Sequence, residues 1–355
     1  MRIAKQGALF RIGAALVACC ATATLAGCYY IQAARGQMEI VSKRRPIATV
    51  VTDPKTPEEL RARLEYVAAA REFASHELGL PNNASYRSYA DLQRPYVVWN
   101  VFATKEFSVE PIRWCFPVVG CVVYRGYFSE ANARNYAAKL SRRGDDVAVA
   151  GIPAYSTLGH FKDPILNTML SWTDAQLAGT VFHELAHQVV YVAGDSEFNE
   201  AFATVVEENG LDRWLATRGK REDIQIWRAQ QKRGEQFISL LLKTRERLSD
   251  LYKEKIPIDD MRERKQYVFG QLKLEYQDLK RSWNGYRGYD HWFSRTLTNA
   301  HLVSAATYYG CVPGLERVLK EVNGDFPRFY DEARKLAKLS KGTRHERVCK
   351  AIEEG

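Results

Sequence analysis

Between residues 58 and 76, Leu60, Leu64, Val67, Ala68 and Phe73 recur at three- and four-residue spacing among charged residues. That spacing predicts an amphipathic helix. The pattern then changes. Tyr96–Ala103, Val122–Phe128 and Asp146–Ala150 are short runs rich in valine and aromatic residues, as strands are. Ala154-Tyr155-Ser156-Thr157 reads either as the edge strand of a cleft or as an interior strand and turn. Helical spacing returns near residue 180 and dominates from there. Segments 222–253 and 258–284 carry Trp227, Phe237, Leu241, Met261, Val268 and Leu272 among many charges, with a break near Ile256-Pro257. They predict an antiparallel helical hairpin, a scaffold rather than a gating arm. Helices near 292–309, 312–322 and 326–340 follow. Strands first and helices after predict an α+β fold, a small mixed sheet with a predominantly helical C-terminal half.

The first residues do not belong to that pattern. Arg2, Lys5 and Arg11 precede an apolar stretch from Ile12 to Ala23, followed by Leu25-Ala26-Gly27-Cys28. A basic region, a short apolar region and small residues describe an export signal over residues 1–27. The apolar stretch is short for a membrane span. Cys28 after Leu-Ala-Gly reads as a lipobox cysteine, whose acyl chains anchor the mature chain to a bilayer. Tyr29 follows it rather than an aspartate, which favours the periplasmic face of the outer membrane. Residues 28–55, with Gly36, the basic run Lys43-Arg44-Arg45 and two prolines, read as a tether, leaving 56–355 as the folded domain.

Removing the leader leaves 48 Lys and Arg against 42 Asp and Glu, a formal charge of +6. So mild an excess suits a solvated surface near anionic lipid, and no nucleic-acid module is present. Four cysteines remain besides Cys19, Cys20 and Cys28: Cys115, Cys121, Cys311 and Cys349. In an exported chain an even number predicts disulfides. Cys115 and Cys121 flank Pro117 and Gly120 and suit a local loop staple, and Cys311 with Cys349 would tie down the C-terminal tail.

The chemistry lies in His183-Glu184-Leu185-Ala186-His187. Two histidines four apart share one face of a helix, about 6 Å apart along its axis, so both imidazoles can reach one zinc ion. The adjacent Glu184 is placed to be the general base on a metal-activated water. The bland alternative is a core helix with two satisfied histidines, but three buried polar groups on one helix need a reason. A zinc site open to water needs a third protein ligand. The first helix is expected to run to about Val192 and Gly194 to end it, with Asp195 or Ser196 capping the next. Glu200 then returns to the level of His187 across a helical hairpin. Glu207 lies about 10 Å further along and suits a role orienting a ligand, though it stays open as the alternative ligand.

The run His183–Gln188 followed by Asn199-Glu200-Ala201-Phe202-Ala203 and Val206-Glu207 resembles the gluzincin aminopeptidase signature. It departs from that signature in a shorter linker and in Ala201, where those enzymes usually have glycine. A closer resemblance is to a family of bacterial lipoprotein aminopeptidases. It extends over nearly the whole mature chain, through Cys28-Tyr29-Tyr30, Trp114-Cys115-Phe116-Pro117, Tyr124-Arg125-Gly126-Tyr127-Phe128, Ala154–Gly159, His183–Gln188 and Asn199–Ala203. The resemblance implies a zincin-like domain and a peptidase with one Zn²⁺ per chain and a peptide substrate. It does not imply which peptide.

Tyr155, Arg125, Tyr308 and Tyr309 are the candidate donors to the oxyanion formed during hydrolysis. No carboxylate stands out as a holder of a substrate α-amine, so endopeptidase activity stays open beside aminopeptidase. The rival from another class is a non-catalytic, envelope-binding lipoprotein with a structural zinc. An intact Glu184 argues against it, because a structural site has no use for a base there.

Overall fold

The computed structural model describes residues 29–116, 120–219, 221–303 and 311–349. The leader, Cys28, Tyr308 and Tyr309 lie outside the described residues.

The segment expected to be a tether is folded instead. Helix α1 covers 29–43, Arg45–Pro46 forms strand β1, and Ile47–Thr52 forms α2. Ile40, Ile47 and Val50 are buried in the main core. The two prolines read as loop signals are helix punctuation: Pro46 precedes α2, and Pro54 follows its C-terminal Asp53. Helix α3, Glu58–His76, has the predicted bounds and buries Leu64, Val67, Ala70 and Ala74.

Strand β2 (Ser88–Ala90) lies between β1, antiparallel, and β8 (Ile165–Leu166), parallel. The larger sheet centres on β3 (Val98–Lys105), flanked antiparallel by β6 (Arg125–Tyr127) and β7 (Asp145–Ile152). Alternation sends Trp99, Val101 and Ala103 to one face, where α4 (Glu130–Ser141) packs with Ala133, Ala137 and Leu140. Helix α4 escapes the sequence reading because that stripe is mostly alanine. Strands β4 (Trp114–Phe116) and β5 (Gly120–Val122) form a hairpin closed by the Cys115–Cys121 disulfide. Residues 154–157, read as an edge strand or as an interior strand and turn, carry no strand pairing. Strand β7 is itself an edge of its sheet, and the chain runs on past Ile152 unpaired.

Helices α5 (Asp174–Ala186) and α6 (Ser196–Arg218) pack antiparallel inside the main core, beside α3. Helices α7 (Arg221–Leu251) and α8 (Ile258–Ser282) form the predicted hairpin. It has its own apolar cluster of Leu240, Leu241, Leu248, Met261, Leu272 and Tyr276. Of the helix expected over 292–309, the described part holds only short α9 (Asp290–Phe293) and a single 3₁₀ turn at Asn299–Leu302. Helices α10 (Val312–Glu321), α11 (Phe326–Ala337) and α12 (Lys341–Val348) close the chain, and Cys311–Cys349 ties the last to the first of them. The molecule is thus α+β, with small mixed sheets beside a larger helical body. Among the described residues no helix is long and apolar enough to cross a membrane.

Candidate metal centre

Helix α5 begins firmly. Thr173 caps it and Gln176 returns the bond, so the two end donors are satisfied reciprocally. Leu177, Ala178, Val181, Phe182, Leu185 and Ala186 are fully buried on one side. Thr180, His183, Glu184 and His187 occupy the other, at the three- and four-residue spacing of a single face, and line a cavity of about 1200 Å³. The helix stops at Ala186, six residues short of the expected Val192, and His187 is its C-terminal cap. The chain then turns through Gly194, whose φ of +81° favours glycine.

Asn199 explains how so short a linker is held in register. Its side-chain amide accepts from the Val192 N–H and donates to the Val192 carbonyl, both at 2.8 Å. Asp195, at the start of α6, does not cap the helix with its side chain. It turns instead to Arg344 (2.6 Å) and His345 (2.7 Å) on α12. With both ends of the linker fixed, Glu200, Thr204, Glu207 and Glu208 face the same cavity from α6.

The result is a convergence of three donor atoms. His183 Nε2 and His187 Nε2 are 3.2 Å apart, and Glu200 Oε2 lies 3.3 Å from the first and 3.7 Å from the second. Donors held at ordinary zinc distances around a tetrahedral centre lie roughly 3.3–3.4 Å from one another. The three groups therefore fit a small cation between them. The other nitrogen of His183, Nδ1, lies 3.0 Å from Glu207 Oε2. That contact fixes the ring as an outer partner of a metal ligand would, so Glu207 sits behind His183 rather than beside Glu200. Gly179 makes room for it, because a Cβ there would come within 3.0 Å of the Glu207 carboxylate. His187 Nδ1 has no hydrogen-bond partner among the described residues.

Electrostatics follow the same contacts. Burial works against a charge on His183, but Glu200 and Glu207 on its two nitrogens hold its pKa well above the ordinary value. Burial alone would raise Glu200; His187 and His183 pull it well below the usual carboxylate range. Glu184 is raised by burial despite both histidines, and the Ser156 hydroxyl donates to it. Glu208, further down α6, is pushed up to about 8 by burial and by the charges of Glu207, Glu316 and Glu235.

Of the candidate oxyanion donors, Tyr155 lines the cavity, edge-on to Phe128. Its hydroxyl is pushed up to about 12 by burial, then by Asp163 and Tyr29. Arg125 is not in the cavity. Strand parity puts it with Tyr127 on the far face of the sheet, its guanidinium 4.2 Å over the Tyr29 ring and 4.7 Å over Tyr136. The residue before it, Tyr124, faces the cavity, and the charges of Glu200 and Glu184 add to the burial that raises its pKa. Tyr191 is raised by burial and by Glu200. Sequence reasoning missed both tyrosines. Alternation along 124–128 was the available signal for the first. The wall opposite α5 comes from α7, through Trp227, Gln231 and Glu235, so the hairpin scaffold is also a side of the cavity.

Two other clusters hold metal-ligating residue types, Asp195–Glu197–His345 and Cys311–His345–Cys349. Their groups are already engaged, Asp195 by Arg344 and the cysteines by each other. No curated protein and no solved structure matches the chain. A family model described as "Putative aminopeptidase" matches residues 28–348, a span that takes in α1, the sheets, His183–Glu207 and the C-terminal helices. The chain belongs to that family.

Proposed function

We propose that the chain is a zinc-dependent peptidase, an aminopeptidase by its family, held on the envelope membrane through acylated Cys28. The observation that carries the reading is the convergence of His183 Nε2, His187 Nε2 and Glu200 Oε2 at 3.2–3.7 Å, on the cavity wall beside Glu184. Zinc, when bound by these three side chains, supplies a Lewis acid that activates water and polarises the scissile carbonyl. Glu184 accepts the proton of the attacking water and passes it to the leaving amine. Burial, which raises the Glu184 carboxyl, makes it a stronger base than an exposed glutamate. Glu207 keeps the His183 ring oriented, with Nε2 turned to the cavity. Tyr124, Tyr155 and Tyr191 line the same cavity and are the candidate donors to the developing oxyanion.

The test is Glu184→Gln, which keeps the size and hydrogen bonding of the side chain but cannot take the proton. It should retain about one zinc per chain by elemental analysis and lose at least ~10²-fold in peptidase activity. A peptide library with free and blocked N-termini supplies the assay. Cleavage confined to free-amine peptides makes the enzyme an aminopeptidase, and cleavage of blocked ones an endopeptidase. Equal behaviour of wild type and variant on every peptide would replace the enzyme with the non-catalytic binding lipoprotein.

A further inference from the structure

Helix α1 has two unlike faces. Tyr29 and Ala33 line the cavity, Ile40 is buried in the main core, and Gly36 lies under the Phe128 ring. On the other side Tyr30, Ile31, Ala34, Arg35, Met38 and Ser42 are all exposed. At 3.6 residues per turn these six fall within an arc of about 140°. The apolar members are large and open to solvent, Tyr30 at 48%, Ile31 at 52% and Met38 at 71%. Arg35, at the edge of the stripe, has no ion pair among the described residues.

An apolar helical stripe with a cation at its margin suits the interface of an anionic bilayer. What precedes the helix names the same occupant. Residues 1–28 carry the basic and apolar leader and end in Leu25-Ala26-Gly27-Cys28, and residue 29, directly after that cysteine, is already helical. An acyl group on Cys28 therefore leaves no spacer between lipid and helix. We propose that α1 lies flat on the bilayer through Tyr30, Ile31, Ala34 and Met38, with Arg35 on lipid phosphates. Its inner face walls the catalytic cavity, which then stands about one helix diameter, roughly 10–12 Å, from the headgroups. The assignment rests on the reading of Cys28 as the acylation site.

The mature acylated protein is reconstituted in vesicles of phosphatidylethanolamine and phosphatidylglycerol, some lipids carrying a shallow doxyl quencher. A fluorophore is attached through Ala34→Cys or, as a distant control, through Tyr267→Cys on α8, where the side chain is 68% exposed. The label at 34 should be quenched at least twofold and the label at 267 hardly at all. Ile31→Glu with Met38→Glu should abolish quenching at 34 while leaving acylation and the melting curve unchanged, since both side chains are exposed. Quenching at 34 that is absent, or that survives the two glutamates, overturns the proposal. So does self-association of the unacylated chain that the two glutamates abolish, since a second copy would then cover the face. Acyl mass, zinc content and cleavage of a short soluble peptide, read on the same samples, report separately on the anchor and the peptidase.

Discussion

His183 has a carboxylate on each ring nitrogen, and both come from α6. The two are not equivalent. Glu200→Ala should abolish zinc binding, whereas Glu207→Ala should weaken it by about 10–100-fold, as removal of an orienting partner does. Competition with a chelator of known affinity ranks them, and the reverse order would make Glu207 the ligand. Next to Glu207 in sequence, Glu208 has a different consequence. A carboxyl whose folded pKa is raised to about 8 contributes stability below its ordinary pKa of about 4 and loses it as pH rises through 8. Glu208→Gln should therefore melt higher than wild type at pH 9 and close to it at pH 4, by calorimetry at both values.

At the scale of elements, the α5–α6 linker depends on a helix far away in sequence. The side chains of Asp195 and Arg344 are 1% and 3% exposed, so Asp195→Asn leaves a buried guanidinium short of its counter-charge. A loss of about 3–5 kcal/mol in chemical denaturation is expected. Burial would raise the Asp195 carboxyl, yet His345 and Arg344 hold it below the ordinary value. Its contribution is thus complete above about pH 4 and lost as pH falls through the lower folded value, which the variant's acid-unfolding curve should no longer show. Elements such as α3 and the α7–α8 hairpin were legible because large apolar residues repeat along them. Helix α1 was not, since its inner face is built from Tyr29, Ala33, Gly36 and Ile40, and small residues leave little periodic signal. The early end of α5 was also hidden, because the apolar run Val189–Val192 continues the helical spacing while Asn199 captures the Val192 backbone. At the site, the local spacing of His183, His187 and Glu200 placed them together. Tyr124 against Arg125 turned on strand parity, which a one-residue shift reverses.

Over the whole molecule, the main core and the hairpin's cluster are separate apolar bodies, and the two disulfides brace unequal loops. Cys311–Cys349 spans 38 residues and Cys115–Cys121 only 6. By loop-closure entropy the first should contribute about 4 kcal/mol and the second about 2. Denaturant midpoints of the paired Cys→Ser variants give the ranking. The donors gathered from residues 183–207 have a further consequence, for the order in which the chain folds. Every donor belongs to one helical hairpin, whose two helices are neighbours in sequence and whose linker is first held by the local Asn199–Val192 pair, whereas β2 must find β8 from 76 residues away. The hairpin can therefore form as an early nucleus, and a cation bound there would speed refolding rather than merely slow unfolding. Stopped-flow refolding with zinc and with chelator should differ in the folding arm, which would make metal supply a determinant of how fast the chain escapes its unfolded state.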